Sequence, residues 1–312
     1  TKNIIVGQSG GPTAVINGSL YGVVAEGLKH PDRIGRVYGM INGIEGFLQG
    51  HMMDIGALDQ TNELEMVRTS QAHILLLPVK LPESLEDAVY PQLFQKFKEH
   101  GIGYFFYIGG NDSMDTVSKL SRYAQTIGSD IRFIGVPKTI DNDLNGTDHC
   151  PGFASAAKYI ATSCAEVWQD AHVYDTGLVT IIEIMGRHAG WLAGSAALAA
   201  WVATARISST SRWILDMERF LADVHQVYQA KNKCLIAVSE GIHRADGAFI
   251  AEGVSAAAND GFGHTQLGGW RRCWPTFSGS GSLRQGAGPS SCPSPSVRAT
   301  SRVPDRHPTR RF

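Results

Sequence analysis

The sequence predicts an α/β fold in which mainly parallel strands alternate with helices. Short apolar segments, each of a length that suits one buried strand, recur along the chain and are separated by segments with helical periodicity. The polar, glycine-containing motifs follow directly after these apolar segments. Because doubly wound parallel sheets bind ligands at the carboxyl ends of their strands, this order also predicts where the functional residues lie.

Five apolar segments are predicted as strands, at residues 3–7, 104–108, 131–136, 177–185 and 234–238. Helices are expected from about residue 14 to residue 28 and from about residue 115 to residue 126, with an alanine-rich helix after residue 190. Continuous apolar strands of this kind are typical of sheets that are covered by helices on both faces.

The composition narrows the possible classes of function. The chain has 312 residues, 43% of them hydrophobic, which suffices for a large core and makes two domains the natural expectation. A formal net charge of −1 argues against nucleic acid or a membrane surface as a partner. The five cysteines lack metal-binding spacing, and their odd number, without a signal peptide, suggests reduced thiols and a cytoplasmic location.

A glycine turn that carries a carboxylate follows the second predicted strand, at residues 109–113. Its glycines would let the backbone approach phosphate oxygens, and the Asp112 carboxylate could hold Mg²⁺. The alternative is a simple N-cap, in which the side chain of Asp112 or Ser113 caps the next helix.

A lysine and two carboxylates follow the third predicted strand, within residues 137–143. Asp141 is the best candidate for a general base that takes a proton from an attacking hydroxyl, and Lys138 for a cation that neutralises the transferred group. The alternative is a structural turn held by ion pairs among Lys138, Asp141 and Asp143, although such groups crowded at a strand end more often mark chemistry. Together the two motifs predict a phosphoryl-transfer site.

Three further motifs are weaker when each is taken alone. Residues 7–11 could bind phosphate through backbone N–H groups, or could form a tight turn with no ligand. Arg187 suits a phosphate or carboxylate, and Glu240 could accept hydrogen bonds from sugar hydroxyls, although either could be a surface charge. His188 and His264 are expected to pack or to form hydrogen bonds, because no second ligand stands at metal spacing.

The order of these motifs resembles the phosphofructokinase family over about residues 1–269. The resemblance implies an α/β fold of two similar Rossmann-like domains with mainly parallel sheets and an active site in the cleft between them. It implies a donor-binding domain at residues 1–138, to which residues 250–269 return, and a sugar-phosphate-binding domain at residues 139–249. The implied reaction is phosphoryl transfer to the 1-hydroxyl of fructose 6-phosphate in glycolysis, with Mg²⁺.

The resemblance also assigns roles to individual residues. The implied catalytic residues are Asp141 as base, Lys138 as transition-state cation, and Asp112. The residues implied for the sugar substrate are Thr139, Ile140, Asp141, Met185, Gly186, Arg187 and Glu240; those for the phosphoryl donor are Gly10, Gly11 and Gly110; and those for the metal are Asn111 and Asp112. Asn111 departs from the usual family aspartate, and since an amide ligates more weakly, Asp112 is expected to carry more of the metal.

Two positions bear on the identity of the donor. Members of the family that use ATP have glycine where this chain has Asp112 and glycine where it has Lys138. A carboxylate at residue 112 would crowd and repel the α-phosphate of a nucleotide, so both residues resemble pyrophosphate-dependent members. Pyrophosphate is therefore expected as the donor, with ATP as the alternative. A homo-oligomer, either dimer or tetramer, is expected, although Leu178 stands where ATP-dependent relatives carry an arginine that reaches a neighbouring subunit.

Three segments do not resemble the family, namely residues 72–79, 201–214 and 270–312. The last is rich in Ser, Arg, Gly and Pro, a composition that otherwise indicates a disordered tail. In these segments, codons shifted by one base permit family-like sequence, and for residues 270–277 that sequence is an amphipathic helix. We therefore hypothesise reading-frame errors at these places, which resequencing the gene would test.

Two other classes of function are open from the sequence. A non-catalytic relative that binds sugar phosphate would keep the fold, but the presence of Asp141, Lys138 and Asp112 argues for catalysis. A Rossmann dehydrogenase is disfavoured, because the chain lacks both the GxGxxG turn and the acidic ribose contact that such a site needs.

Overall fold

The computed structural model describes residues 1–61, 63–70, 81–199, 217–243 and 247, and the backbone of three short strands at 275–277, 283–285 and 298–302. The segments at 72–79 and 201–214, most of 270–312, and His264 lie outside these residues. The chain divides into two units, Thr1–Ala154 and Ser155–Phe312. The expected boundary after residue 138 precedes this division, and the expected return of residues 250–269 lies outside the described part, so the domain limits stay a prediction.

The first unit is built around a five-stranded sheet. Its strands are β1 (Lys2–Gln8), β2 (Ile34–Met40), β3 (Met52–Asp54), β4 (Ile102–Gly109) and β5 (Arg132–Pro137). Their order is β3-β2-β1-β4-β5, and all neighbours are parallel except β3, which pairs antiparallel with β2. Gln8 pairs with Ile108, and Gly109 pairs with Pro137. The loops that follow β1, β4 and β5 therefore begin side by side.

Helices cover both faces of this sheet. They are α1 (Ile16–Leu28), α2 (Gly43–Leu48), α3 (Glu63–Thr69), α4 (Val89–Glu99) and α5 (Asn111–Thr126), with a 3₁₀ helix at Ile55–Thr61. Successive residues of a strand point to opposite faces. Ile4 and Val6 pack in a cluster with α1 and α3, whereas Ile5 packs in an aromatic cluster with α2, α4 and α5. In that second cluster Phe97 lies edge-on to Phe105, with ring centroids 5.6 Å apart.

The second unit contains a smaller sheet. Its elements are α6 (Phe153–Ala171), which begins just before the division, β6 (Leu178–Ile184), α7 (Trp191–Ser195), α8 (Met217–Lys231) and β7 (Lys233–Ser239). Strands β8 (Pro275–Phe277), β9 (Leu283–Gln285) and β10 (Arg298–Arg302) follow. β6 and β7 are parallel, β10 pairs antiparallel with β6, and β8 pairs with β9. Residues of α8, among them Phe220 and Val224, pack against β7.

The predicted α/β fold with mainly parallel sheet pairing is confirmed. Each of the five predicted strands is present, at β1, β4, β5, β6 and β7. Strand β2 was not predicted, because Gly35, Arg36 and Gly39 interrupt its apolar pattern, and α5 begins four residues before its predicted start. Within the described ranges no helix is both long and apolar enough to cross a bilayer. The expected location of the active site in a cleft stays a prediction.

Candidate active site

The two glycines of the loop after β1 have different surroundings, because Gly10 is confined by its neighbours and Gly11 is not. Gly10 has a φ of +80°, and a Cβ there would lie 3.1 Å from the ammonium nitrogen of Lys138. The fold itself therefore favours glycine at this position. Gly11 has no positive φ, and a Cβ on it would meet no atom within 4 Å. Since nothing in the surrounding fold requires glycine at residue 11, the open space beside it is suited to a ligand that approaches the backbone.

Lys138, the first residue after β5, joins this loop to its neighbours. Its Nζ donates a 2.7 Å hydrogen bond to the carbonyl oxygen of Gly11, and its backbone N–H donates to the carbonyl of Gly109 at 3.0 Å. The side chain is only 4% exposed. Burial lowers the pKa of Lys138 from its ordinary value of 10.5 to about 8, and the negative charge of Asp141 opposes part of this shift. The cation is therefore held in a dry environment, where its charge acts strongly on a bound anion.

The turn after β4 leads straight into α5. Gly110 is the N-cap residue, Asn111 is the first helical residue, and no side chain caps this helix. The alternative in which Asp112 or Ser113 serves as N-cap is therefore wrong. A Cβ on Gly110 would come no closer than 3.6 Å to another atom, the carbonyl oxygen of Lys138. The N-terminus of α5, formed by Asn111 and Asp112, carries a partial positive charge.

The loop after Lys138 holds Asp141 through local hydrogen bonds. The backbone N–H of Asp141 donates to the hydroxyl of Thr139 at 3.1 Å. Asn142 has a φ of +58°, its Oδ1 accepts from the backbone N–H of Cys150 at 2.7 Å, and its Nδ2 donates to the carbonyl of Asp148 at 3.1 Å. Asn142 thus closes the loop on itself next to the proposed base. This role of Asn142 was not predicted, although a polar residue that tolerates positive φ is typical of such turns.

The ion-pair alternative for this loop stays a prediction, since the negative charge of Asp141 acts on Lys138. Lys138 Nζ donates to a carbonyl oxygen, whereas Asp143 accepts a 2.8 Å hydrogen bond from Asn111 Nδ2. This second contact joins the loop after β5 to the first turn of α5. The carboxylate and amide groups of the two elements therefore meet at the same edge of the sheet.

The oxygen atoms at this edge fit a magnesium ion by their chemistry. Asn111, Asp112 and Asp143 offer hard oxygen ligands. In the part of the chain that the structure describes, no three His, Cys, Asp or Glu side chains form a metal-binding group. Mg²⁺ is commonly bound through one or two carboxylates together with substrate phosphates and waters, so the small protein donor set is compatible with it.

In the second unit, Glu240 fixes the loop after β6. Its Oε1 accepts hydrogen bonds from the backbone N–H groups of Gly186 at 3.2 Å and Arg187 at 3.0 Å. Arg187 has a φ of +46°, which is uncommon for a residue with a side chain. A Cβ on Gly241 would overlap the carbonyl oxygen of Arg187, so glycine there allows the two loops to touch. This bracing role of Glu240 was not predicted.

The structure gathers the predicted residues into two groups. In the first unit the carboxyl ends of β1, β4 and β5 bring together Gly10, Gly11, Gly110, Asn111, Asp112, Lys138, Thr139, Ile140 and Asp141. In the second unit the carboxyl ends of β6 and β7 bring together Met185, Gly186, Arg187 and Glu240. The roles that the sequence analysis assigned to these residues stay predictions.

The chain is similar to known proteins over most of its length. The phosphofructokinase family model matches residues 3–274. The chain is 40% identical over 274 residues to the pyrophosphate–fructose 6-phosphate 1-phosphotransferase of Methylococcus capsulatus, a match that covers 86% of this chain and 64% of that protein. It is 41% identical over 272 residues to the protein of the same name from Xanthomonas campestris, with the same coverage of 86% and 64%.

The chain is also similar to a solved structure. The crystal structure of the pyrophosphate-dependent phosphofructokinase from Marinobacter aquaeolei matches with a TM-score of 0.69 and 39% sequence identity. That match covers 78% of this chain and 62% of the crystallised one. The chain thus spans somewhat less than two thirds of the length of each of these three relatives.

Proposed function

The chain belongs to the phosphofructokinase family, and we propose that the protein transfers a phosphoryl group from pyrophosphate to the 1-hydroxyl of fructose 6-phosphate. The observation that carries this proposal is the buried ammonium of Lys138, held 2.7 Å from the carbonyl oxygen of Gly11 at the mouth of the glycine loop. Relatives about 40% identical are named for this reaction. From its membership of this family we also propose that the protein is a cytoplasmic, homo-oligomeric enzyme of glycolysis.

The donor pyrophosphate is proposed to lie against the glycine loop and the N-terminus of α5. The backbone of Gly11 and Gly110 leaves room for phosphate oxygens, and the Lys138 cation stabilises the charge on the transferred group. The Asp112 carboxylate disfavours the longer polyphosphate of ATP at this end of the helix. These features together support pyrophosphate as the donor.

Mg²⁺ is the metal that we propose, with Asn111 and Asp112 as its protein ligands. When bound, it would neutralise negative charge on the donor oxygens. The amide of Asn111 is oriented by its hydrogen bond to Asp143, so the ligands on α5 are held in place from the loop after β5.

The acceptor hydroxyl is proposed to be activated by Asp141. Its carboxylate takes the proton of the 1-hydroxyl as that oxygen attacks the phosphorus atom, and the bond from phosphorus to the bridging oxygen of pyrophosphate breaks. Inorganic phosphate leaves and fructose 1,6-bisphosphate forms. The hydrogen bond from the Asp141 backbone to Thr139 fixes the position of the base.

The sugar phosphate is proposed to be bound by residues of the second unit. Arg187 would bind anionic phosphate oxygens, and Glu240 would accept hydrogen bonds from sugar hydroxyls. Thr139 and Ile140, beside the base, and Met185 and Gly186, beside the arginine, complete the proposed contacts.

The substitution Asp141→Asn tests this mechanism and separates an enzyme from a binding protein. Loss of the general base is expected to lower kcat by about 10²- to 10⁴-fold, while fructose 6-phosphate still binds in calorimetry. Asp148→Asn, an exposed change in the same loop, should keep full activity. An Asp141→Asn variant that retains wild-type kcat would refute the assignment of the base.

A further inference from the structure

A buried hydroxyl without a partner lies next to the glycine loop. Thr13 is 8% exposed, and among the described residues its Oγ1 has no hydrogen-bond partner. The hydroxyl is not used as a helix cap, because the N-cap of α1 is Val15 and no side chain caps that helix. An unpaired buried hydroxyl destabilises a fold, so the Thr13 hydroxyl calls for a partner beyond the described residues, and a bound ligand would supply one.

Thr13 belongs to the loop after β1 and contacts Gly152, in the segment between β5 and α6. It follows Gly11 by two residues, and Gly11 accepts the hydrogen bond of Lys138. On its other side it packs against Gly152, where an added Cβ would be 3.4 Å from Thr13 Oγ1. Gly152 is bridged to Thr139, the residue that holds the backbone of Asp141. The unpaired hydroxyl is therefore close to the segments that carry Lys138 and the proposed base.

We propose that Thr13 is a further donor-binding residue, whose hydroxyl donates a hydrogen bond to an oxygen of pyrophosphate; this rests on the proposed function. Pyrophosphate oxygens only accept hydrogen bonds, and a hydroxyl is a donor that can rotate towards them. The positive end of α1 begins three residues later and favours the same anion. Binding of the donor would thus satisfy the hydroxyl that the described residues leave unpaired.

The test compares Thr13→Val, which keeps the shape and removes the hydroxyl, with Thr13→Ser, which keeps the hydroxyl. A hydrogen bond to a charged acceptor corresponds to a factor of about 10 to 100 in affinity. In Thr13→Val the Kd for pyrophosphate, measured by calorimetry with Mg²⁺, and its KM should rise by about this factor. The KM for fructose 6-phosphate should stay within about twofold. Thr13→Ser should resemble the wild type, and the melting temperature of ligand-free Thr13→Val should equal or exceed that of the wild type.

Three results would overturn the proposal. They are an unchanged pyrophosphate affinity in Thr13→Val, an equal loss in Thr13→Ser, or a lower melting temperature combined with equal weakening of both substrates, which indicates a structural role. A wild-type chain that binds pyrophosphate through Thr13 but forms no fructose 1,6-bisphosphate would contradict the proposed reaction and leave this contact standing. A wild-type chain that does not bind pyrophosphate would contradict both.

Discussion

The ammonium nitrogen of Lys138 lies 2.7 Å from the carbonyl oxygen of Gly11, a residue 127 positions earlier in the chain. Through its backbone N–H the same lysine is also bonded to Gly109. Lys138, in the loop after β5, is therefore bonded both to the loop after β1 and to the last residue of β4. The proposed transition-state cation is also the group that fixes the donor loops relative to each other, so its chemistry and its structural role are coupled.

The two neighbouring glycines of the first loop should respond differently to alanine. Gly11→Ala meets no atom of the fold within 4 Å, so the free energy of unfolding should change by less than about 0.5 kcal/mol. Its KM for pyrophosphate should rise at least tenfold, since the added methyl group occupies the donor's approach. Steady-state kinetics and urea unfolding measure the two effects.

Gly10→Ala is the matched comparison. Residue 10 has a φ of +80°, and the added Cβ would lie 3.1 Å from Lys138 Nζ. The substitution should therefore lower the free energy of unfolding by about 1–2 kcal/mol. Equal destabilisation by the two substitutions, or a normal pyrophosphate KM in Gly11→Ala, would contradict the description of this loop.

The buried lysine predicts a pH dependence above neutrality. Because burial lowers the pKa of Lys138 from 10.5 to about 8, the ammonium loses its proton as the pH rises through about 8 in the free enzyme. The kcat/KM for pyrophosphate should therefore fall as the pH rises above about 8. Lys138→Arg keeps its charge over this range and should lose this limb, whatever its absolute rate.

Lys98, an exposed lysine of α4, provides the control for that experiment. Lys98→Met should show the wild-type pH profile, and Lys138→Met should lose most of its activity at every pH. A wild-type profile that stays flat to pH 10 would contradict the lowered pKa of Lys138, and a fall that persists in Lys138→Arg would mean that another group titrates.

The substitution Glu240→Ala should weaken both the binding of fructose 6-phosphate and the stability of the fold. Glu240→Ala removes the acceptor for the N–H groups of Gly186 and Arg187, which should cost about 1–2 kcal/mol of unfolding free energy. The KM for fructose 6-phosphate should rise more than tenfold, while the KM for pyrophosphate stays within about twofold. Thermal unfolding and kinetics check both, with Glu166→Ala, an exposed change on α6, as the control. Unchanged stability in Glu240→Ala would show that its hydrogen bonds to Gly186 and Arg187 do not stabilise the fold.

The substitution Asn111→Asp should make the fold sensitive to the metal. It replaces the donor that faces Asp143 at 2.8 Å with a second carboxylate. Like charges at this distance should lower the free energy of unfolding by about 1–2 kcal/mol without Mg²⁺. Added Mg²⁺ should restore it, and the half-saturating Mg²⁺ concentration should fall. Asn145→Asp, exposed in the same loop, should show neither effect. A loss of stability that Mg²⁺ does not reverse would remove Asn111 from the proposed metal site.

The sequence predicted the parts of this molecule that depend on local pattern. Apolar runs located the strands, and the polar motif after each strand located Lys138, Asp141, Arg187 and Glu240 at strand ends. The N-cap alternative failed because a glycine, Gly110, occupies that position without a side-chain hydrogen bond.

The features that were missed depend on tertiary contacts. Glu240 meets the loop of Arg187, 53 residues away, only because β6 and β7 pair in register. The unpaired hydroxyl of Thr13 is apparent only from the positions of the described residues around it, which offer no partner. Strand β2 is stabilised by its pairing with β1 and not by an apolar sequence of its own.

The most direct test of the central claim is a comparison of phosphoryl donors. Formation of fructose 1,6-bisphosphate from fructose 6-phosphate would be measured with Mg²⁺ and either pyrophosphate or ATP, on the full-length protein. The buried Lys138 beside Gly11, with Asp112 on α5, predicts turnover with pyrophosphate and at most a trace with ATP. Turnover with ATP equal to or above that with pyrophosphate would contradict the donor assignment, and turnover with neither would contradict the proposed reaction.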